Sequence, residues 1–282
     1  MQIFTDKEQI TEVIDAFKAH QLTIGFVPTM GALHKGHLAL VEEALANNQK
    51  VFVSVFVNPT QFNNSKDLEK YPRTLENDIK LLESISKDIL VFAPTVEVIY
   101  HGNTVSQSFD FDGLEHEMEG KFRQGHFDGV GTVVKRLFDI IRPDNAYFGE
   151  KDFQQLQIIK KLVSKYKMPV HVVGCKIHRE KNGLAMSSRN TRLTDKQKEA
   201  AAFIYKTLKA AKIQFGTKSA DKVTSWVSSQ FESHDVLKLE YFIIADIDTL
   251  KPLKRKAKNK KYRAFIAVYA GEIRLIDNIA LN

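Results

Sequence analysis

Two short apolar runs, "LTIGFV" (Leu22 to Val27) and "VFVSVFV" (Val51 to Val57), flank a stretch in which Leu38, Val41 and Leu45 recur at helical spacing. Neither run has a polar face, and both are rich in Val and Phe, so they suit strands covered on both sides, as in a parallel sheet. Parallel neighbours need a crossover, and the helical stretch supplies one. The alternation continues with a helix near Thr74 to Ser86 (Leu75, Ile79, Leu82), a strand at Ile89 to Ala93 and a helix near Val130 to Ile141 (Val133, Leu137, Ile141). A strand at Asn145 to Gly149, a helix near Phe153 to Tyr166 and a strand at Val170 to Cys175 follow. Ahead of them residues 5 to 19 read as a helix, opened by a Thr5/Glu8 capping box, with Ile10, Val13, Ile14 and Phe17 on one face. The pattern predicts a Rossmann-like, doubly wound α/β domain.

Beyond Cys175 the order changes. Helical segments at Asp195 to Ile213 and Val223 to Phe231 precede the strand-like "LEYFIIA", "RAFIAVYAG" and "IRLIDNIAL", which predicts a smaller α+β domain. We therefore expect domains at 1–175 and 176–282, with "MSSRN" near the start of the second. A chain of 282 residues, 43 % hydrophobic and 27 % charged, suits two such domains. No apolar run approaches the roughly 20 residues that span a bilayer, and "MQIFTDKEQI" has no basic region followed by an apolar core, so the expectation is a cytoplasmic protein without a membrane partner. Cys175 is the only cysteine, which excludes an intrachain disulfide and a Cys-based zinc cluster; its place at a strand end reads as a small buried residue.

The net charge of +7 raises the question of a polyanion partner. "KPLKRKAKNKKYR" (Lys251 to Arg263) holds eight basic residues and no acidic one, more than the whole excess. Such a run reads as a solvated loop or hairpin flank, and with Tyr262 its only aromatic residue it offers little stacking to a base, so no nucleic-acid partner is expected.

The chemistry starts at "PTMGALHKGHLAL" (Pro28 to Leu40). Ligands of open α/β sheets bind outside the carboxyl ends of strands, and a strand ends at Val27 in this reading. A helix beginning near Gly36 offers unpaired N–H groups and a partial positive charge to phosphate. His34 and His37, three apart, can face the same way and donate to phosphate oxygens. Gly31 permits a tight turn, and Gly36 clears space where adenine or ribose must approach the helix. A zinc pair is the alternative, but no third ligand stands nearby. Three further islands follow predicted strand ends or loops: Ser54 to Thr74, with the amides of Asn58 and Gln61 and the Tyr71 hydroxyl; "YFGEKDFQQLQ", with Lys151, Asp152 and Gln155 at a helix start; and "GLAMSSRN", two hydroxyls and a guanidinium after a glycine.

With "PTMGALHKGH", "FVNPTQF", "YPRT", "GHFDGV", "FGEKDFQQL" and "MSSRN" in this order, the chain resembles the pantothenate synthetases, or pantoate-beta-alanine ligases, over essentially its whole length. The resemblance implies an HxGH nucleotidyltransferase-like fold and an ATP-dependent ligase. In that family pantoate attacks the α-phosphate of ATP, pyrophosphate leaves, and beta-alanine then displaces AMP from pantoyl adenylate. It implies ATP-binding segments at Met30, Gly31, Ala32, Leu33, His34, Lys35, Gly36 and His37, at Gly149, Glu150, Lys151 and Asp152, and at Met186, Ser187, Ser188 and Arg189. His34, His37, Lys151 and Arg189 take catalytic positions, with His37 as proton donor. Gln61 and Gln155 match pantoate positions; Gln61, with Asn58 and Tyr71, adjoins the beta-alanine pocket. Asp78 resembles a position near magnesium, the ion accompanying ATP as co-substrate; no prosthetic group is implied, and because the family is usually dimeric a homodimer is expected. His178 stands where the family often has a valine touching adenine through its main chain. Arg123, in "KFRQGHFDG", reads either as part of a cover over the site or as a surface arginine.

Two other readings stay open on the residues alone. One is another HxGH adenylyltransferase that leaves AMP on its acceptor; "NPTQF" together with "GEKDFQQL" argues against it. The other is an RNA-binding module built on Lys251 to Arg263.

Overall fold

The computed structural model describes residues 1–63 and 68–282, so the island Ser54 to Thr74 is described apart from 64–67. The chain divides into two compact units, residues 1–150 with 154–176, and residues 151–153 with 177–282.

The first unit is built on a six-stranded sheet with every pairing parallel, in the order β1-β4-β3-β2-β5-β6. The strands are β1 (Gln2–Phe4), β2 (Ile24–Thr29), β3 (Lys50–Val55), β4 (Leu90–Phe92), β5 (Asn145–Gly149) and β6 (His171–Cys175). Helices α1 (Lys7–Ala19), α2 (Lys35–Asn47), α3 (Leu75–Glu83), α4 (Val96–Tyr100), α5 (Met118–Phe122), α6 (His126–Ile141) and α7 (Phe153–Lys165) run between them. From β2 the chain steps outward through β3 to β4, then returns to the other side of β2 as β5. The winding therefore reverses between β2 and β5, the place where such sheets open a crevice at their carboxyl ends. Val27, Leu38, Val41, Val51, Val53, Leu82 and Val91 pack into one apolar cluster, which explains why β2 and β3 read as continuous apolar runs.

Three local expectations are corrected. β1 escaped notice because three residues are too short to show a period. The cap of α1 is Asp6, whose Oδ1 accepts from Gln9 N–H at 2.9 Å, rather than Thr5. β2 continues past Val27 to Thr29: its ladder with β5 covers only Gly25 and Phe26, so Pro28 lies beyond that side's pairing while still registered against Ser54 of β3. Cys175 is buried at the end of β6, where desolvation first and then the Glu43 carboxylate push its thiol pKa up, leaving an unreactive thiol.

In the second unit α8 (Asp195–Phe215) and α9 (Ala220–Glu232) cover an antiparallel sheet of β7 (Leu237–Asp246), β8 (Tyr262–Ala270) and β9 (Ile273–Ala280). Thr194 and Gln197 form the capping box that starts α8. Ile204, Leu208, Val223, Val227, Ile266 and Leu275 belong to its core. The basic run joins β7 to β8 and is mostly exposed, but its last member, Arg263, is buried in the sheet with its guanidinium 4.0 Å over the Phe153 ring. Among the described residues no helix is long and apolar enough to cross a membrane.

Candidate active site

Where β2 ends, the Thr29 hydroxyl donates to Ser54 O at 2.7 Å and accepts from Gly31 N–H at 3.1 Å. The chain then passes through two left-handed residues in succession, Gly31 (φ +77°) and Ala32 (φ +49°). That region costs a residue with a side chain roughly 1–3 kcal/mol, so something must hold Ala32 there. Asp78 of α3 does so. It is 1 % exposed; Oδ2 accepts from Ala32 N–H at 3.0 Å, Oδ1 from Leu33 N–H at 2.7 Å, and the Thr74 hydroxyl adds a contact at 3.3 Å. A Cβ on Gly31 would sit 3.0 Å from Asp78 Oδ2 and 3.1 Å from Val55 Cγ1, so both backbone angle and space favour glycine. Burial raises the Asp78 pKa, and the three hydrogen bonds oppose that shift. A buried carboxylate turned onto main-chain N–H donors does not fit a magnesium ligand. In this structure Asp78 anchors the turn. No three His, Cys, Asp or Glu side chains gather as a metal cluster among the described residues.

The turn delivers the chain to α2, and the two histidines cap that helix. His34 Nδ1 accepts from Gly36 N–H at 3.1 Å, and His37 Nδ1 accepts from His34 N–H at 3.3 Å. An amide N–H only donates, so each Nδ1 must present its lone pair, and the neutral ring carries its hydrogen on Nε2. The rings lie 4.0 Å apart between centroids, tilted by 32°. Two imidazole Nε2–H donors therefore accompany the N-terminus of α2, at the carboxyl end of β2. Lys35, between them, is exposed and Gly36 is buried.

Gln61 lies in a 3-10 turn, Pro59–Gln61, that follows β3. Its Oε1 accepts from Asn58 Nδ2 at 3.1 Å and its Nε2 reaches Met30 Sδ at 3.0 Å, which joins this turn to the residue just after β2. Asn58, 1 % exposed, also donates to Gly129 O at 3.1 Å and accepts from the Tyr100 hydroxyl at 2.6 Å and the Thr60 hydroxyl at 3.2 Å. Both of its amide hydrogens are thus engaged, and its geometry is that of a residue orienting Gln61. The Gln61 carbonyl accepts from His126 Nδ1 at 2.9 Å and from Arg123 Nη2 at 3.2 Å, while Arg123 Nη1 donates to His126 Nε2 at 3.2 Å. Arg123 is thereby tied to the Gln61 turn. Gly129 lets α6 approach that turn: a Cβ there would meet Thr60 O at 2.5 Å. The buried Tyr71 packs edge-on against Phe62, 5.6 Å between centroids. Gln155 is half-buried in the first turn of α7, beside Gln154, whose amide is consumed by Glu119 N–H and by the carbonyls of Leu114 and Glu117. Gly149 and Glu150, at the end of β5, complete this unit's candidate residues.

The second unit holds the other set. Lys151 is largely buried, its Nζ 3.8 Å from the Asp152 carboxylate, and its carbonyl accepts from Asn278 Nδ2 at 2.9 Å. Met186 N–H donates to His178 O at 3.0 Å and Arg179 bridges Ala185, so residues 178–186 form a small hairpin. The His178 side chain is exposed. Arg179 makes two hydrogen bonds to Asp277, at 2.6 and 2.9 Å, and stacks 3.6 Å from the Tyr205 ring centroid. Beyond the hairpin, Asn190 Nδ2 donates to Glu180 at 2.7 Å and to Ala185 O at 3.1 Å, and Ser187 Oγ accepts from Arg189 N–H at 3.3 Å. Met186, Ser187, Ser188 and Arg189 are all half-buried on this frame.

Sequence reading did not find the anchoring role of Asp78, met His126 and Gly129 only as part of "GHFDGV", and gave no role to Tyr100, Asp277 and Asn278. The glycines of "GHFDGV" were the available signal for a close approach; the others are polar residues whose burial no local pattern reveals.

A parallel sheet that reverses between β2 and β5, with a histidine-capped helix after β2, defines an α/β nucleotide-binding protein of the HxGH type. A family model described as pantoate-beta-alanine ligase matches residues 2–280. Pantothenate synthetases of Flavobacterium psychrophilum and Christiangramia forsetii are 59 % and 58 % identical to the chain over 282 residues, 100 % of both sequences in each case. The crystal structure of pantothenate synthetase from Thermus thermophilus superimposes with a TM-score of 0.90 at 38 % identity, covering 100 % of this chain and 99 % of that one. Pantoate-beta-alanine ligase of Francisella tularensis, complexed with beta-gamma ATP and beta-alanine, gives 0.80 at 36 % identity, covering 100 % and 98 %. The chain belongs to the pantoate-beta-alanine ligase family, and it is an ATP-dependent ligase that joins pantoate to beta-alanine.

Proposed function

We propose that the reaction runs through pantoyl adenylate, with the residues described above in the following roles. A pantoate carboxylate oxygen forms a bond to the α-phosphorus of ATP as the bond to pyrophosphate breaks. The beta-alanine nitrogen then attacks the acyl carbon, AMP leaves with the bonding electrons, and the amine gives up a proton. The observation that carries this reading is the reciprocal cap at α2: it commits both Nδ1 atoms to main-chain N–H groups, so His34 and His37 meet phosphate as Nε2 donors without having to be charged. His37 is the proton donor in this assignment. Met30 to His37 and Gly149 with Glu150 bind the nucleotide in the first unit. Lys151, Asp152, His178 and Met186 to Arg189 serve it from the second, Lys151 and Arg189 countering charge on the phosphorus and the leaving pyrophosphate.

Gln61 and Gln155 hold pantoate. Neutral amides orient a carboxylate nucleophile without a full positive charge that would quench its attack. Asn58 directs its amide hydrogens to Gln61 and Gly129, so in the beta-alanine pocket it acts by fixing Gln61, beside Tyr71. Magnesium enters with ATP as part of the nucleotide substrate. A homodimer and a cytoplasmic setting belong to the same reading, supported by kinship.

Pyrophosphate–ATP isotope exchange is the test. Exchange should require pantoate and proceed without beta-alanine; in Gln61→Leu or Gln155→Leu it should need more pantoate, by the equivalent of about 1–3 kcal/mol for an unpaired substrate hydroxyl. Exchange that depends on beta-alanine would overturn the two-step order, and an unchanged pantoate dependence in both variants would overturn the pocket.

A further inference from the structure

We propose that Asn278 is the positioning residue for Lys151, an inference that rests on the role given to Lys151 above. Asn278 is a polar residue 2 % exposed in β9, next to Asp277 at 4 %. Strand alternation sends the two side chains to opposite faces of the sheet. Asp277 takes the Arg179 guanidinium and so holds the hairpin that leads to Met186 to Arg189. Asn278, registered against Phe265, faces the side on which residues 151–153 lie, where Phe153 packs 5.9 Å from Phe265 and under the Arg263 guanidinium.

The orientation of the Asn278 amide follows from its neighbours. Arg263 Nη1 is a donor and takes Oδ1, so Nδ2 must point the other way, and there it donates to Lys151 O at 2.9 Å. Lys151 lies in the 3-10 turn Glu150–Asp152, after the last β5 residue and before α7, and the amide of Asn278 gives its carbonyl a partner 127 residues away in the chain. Asn278 thus anchors the main chain from which the Lys151 side chain projects. Adenylation, the step assigned to Lys151, is sensitive to that placement, since misplacement by about 1 Å can cost on the order of 10²-fold in rate.

Asn278→Asp separates this role from a structural one. The carboxylate keeps an acceptor for Arg263 but sets an acceptor against the Lys151 carbonyl. We expect single-turnover adenylate formation to fall about tenfold or more, with the pantoate dependence unchanged and with amide formation from supplied pantoyl adenylate at the wild-type rate. Asn278→Leu, which removes both amide bonds at similar size, should show the same split. In a Lys151→Ala background either substitution should cost nothing further. Equal losses in both half-reactions, or the same fold-loss with and without Lys151, would overturn the inference. Wild-type adenylation in Lys151→Ala removes the reading beneath it, whereas a loss there and none in Asn278→Asp or Asn278→Leu overturns the inference alone.

Discussion

The turn that carries His34 and His37 and the loop that carries Ser187 to Arg189 both bear groups to which the proposed function gives phosphate, yet they are held by opposite means. The first is a backbone device. Two left-handed residues, a glycine where any side chain would be strained and crowded, and one buried carboxylate shape the turn, and the histidines complete their own helix cap. The second is a side-chain device. A bidentate ion pair, an aromatic stack and two hydrogen bonds from Asn190 hold a hairpin whose backbone supplies only short-range bonds. The first therefore places neutral donors by main-chain geometry, while the second places a cation within an already paired set of charges. The two should fail differently.

The largest effect belongs to the ion pair. Arg179→Met keeps the stem that lies on Tyr205 but leaves the Asp277 carboxylate buried without its cation, at a cost of about 3–5 kcal/mol. Urea unfolding should register it, and a loss near that of an exposed pair, below about 1 kcal/mol, would show that the hairpin does not depend on this bridge. Next comes His37→Ala, which removes a transition-state donor and half of the reciprocal cap. Adenylate formation should slow by about 10²-fold or more while ATP binding changes little; a single-turnover rate near that of the unaltered protein would refute the donor role.

Smaller again is Asp78→Asn. Its amide places a donor against one of the two N–H groups of Ala32 and Leu33, and stability should fall by about 1–3 kcal/mol, with adenylation slowed as the turn relaxes. This variant also sharpens the comparison through pH. The folded Asp78 carboxyl titrates above its ordinary 3.8, so in that window the native state binds more protons than the unfolded chain. Its contribution is greatest below 3.8 and declines as pH rises through the raised native value. Stability curves of the original and Asp78→Asn proteins should diverge across that interval, and parallel curves would exclude Asp78 as the group responsible.

Gln154 and Gln155 show where local reading ends. Adjacent and identical in type, they differ in that Gln154 spends its amide on three main-chain groups 35 to 40 residues away. Asp78 makes the same point: only the 46- and 45-residue spans to Ala32 and Leu33 reveal it as an anchor of the turn.

Alone, the chain's order of residues determined the strands other than β1, most of the helices, the reversal into a second kind of architecture after Cys175 and the turn that ends in His34 and His37. Those features rest on periodicity, on runs without a polar face and on glycines near histidines, all of which act within a few residues. The tertiary structure decided what each polar side chain answers to: Asp78 to the turn, Asn58 to Gln61, Asp277 to Arg179 and Asn278 to Lys151. A buried donor or acceptor must find its complement wherever packing brings one within about 3 Å, and that distance carries no trace of separation along the chain.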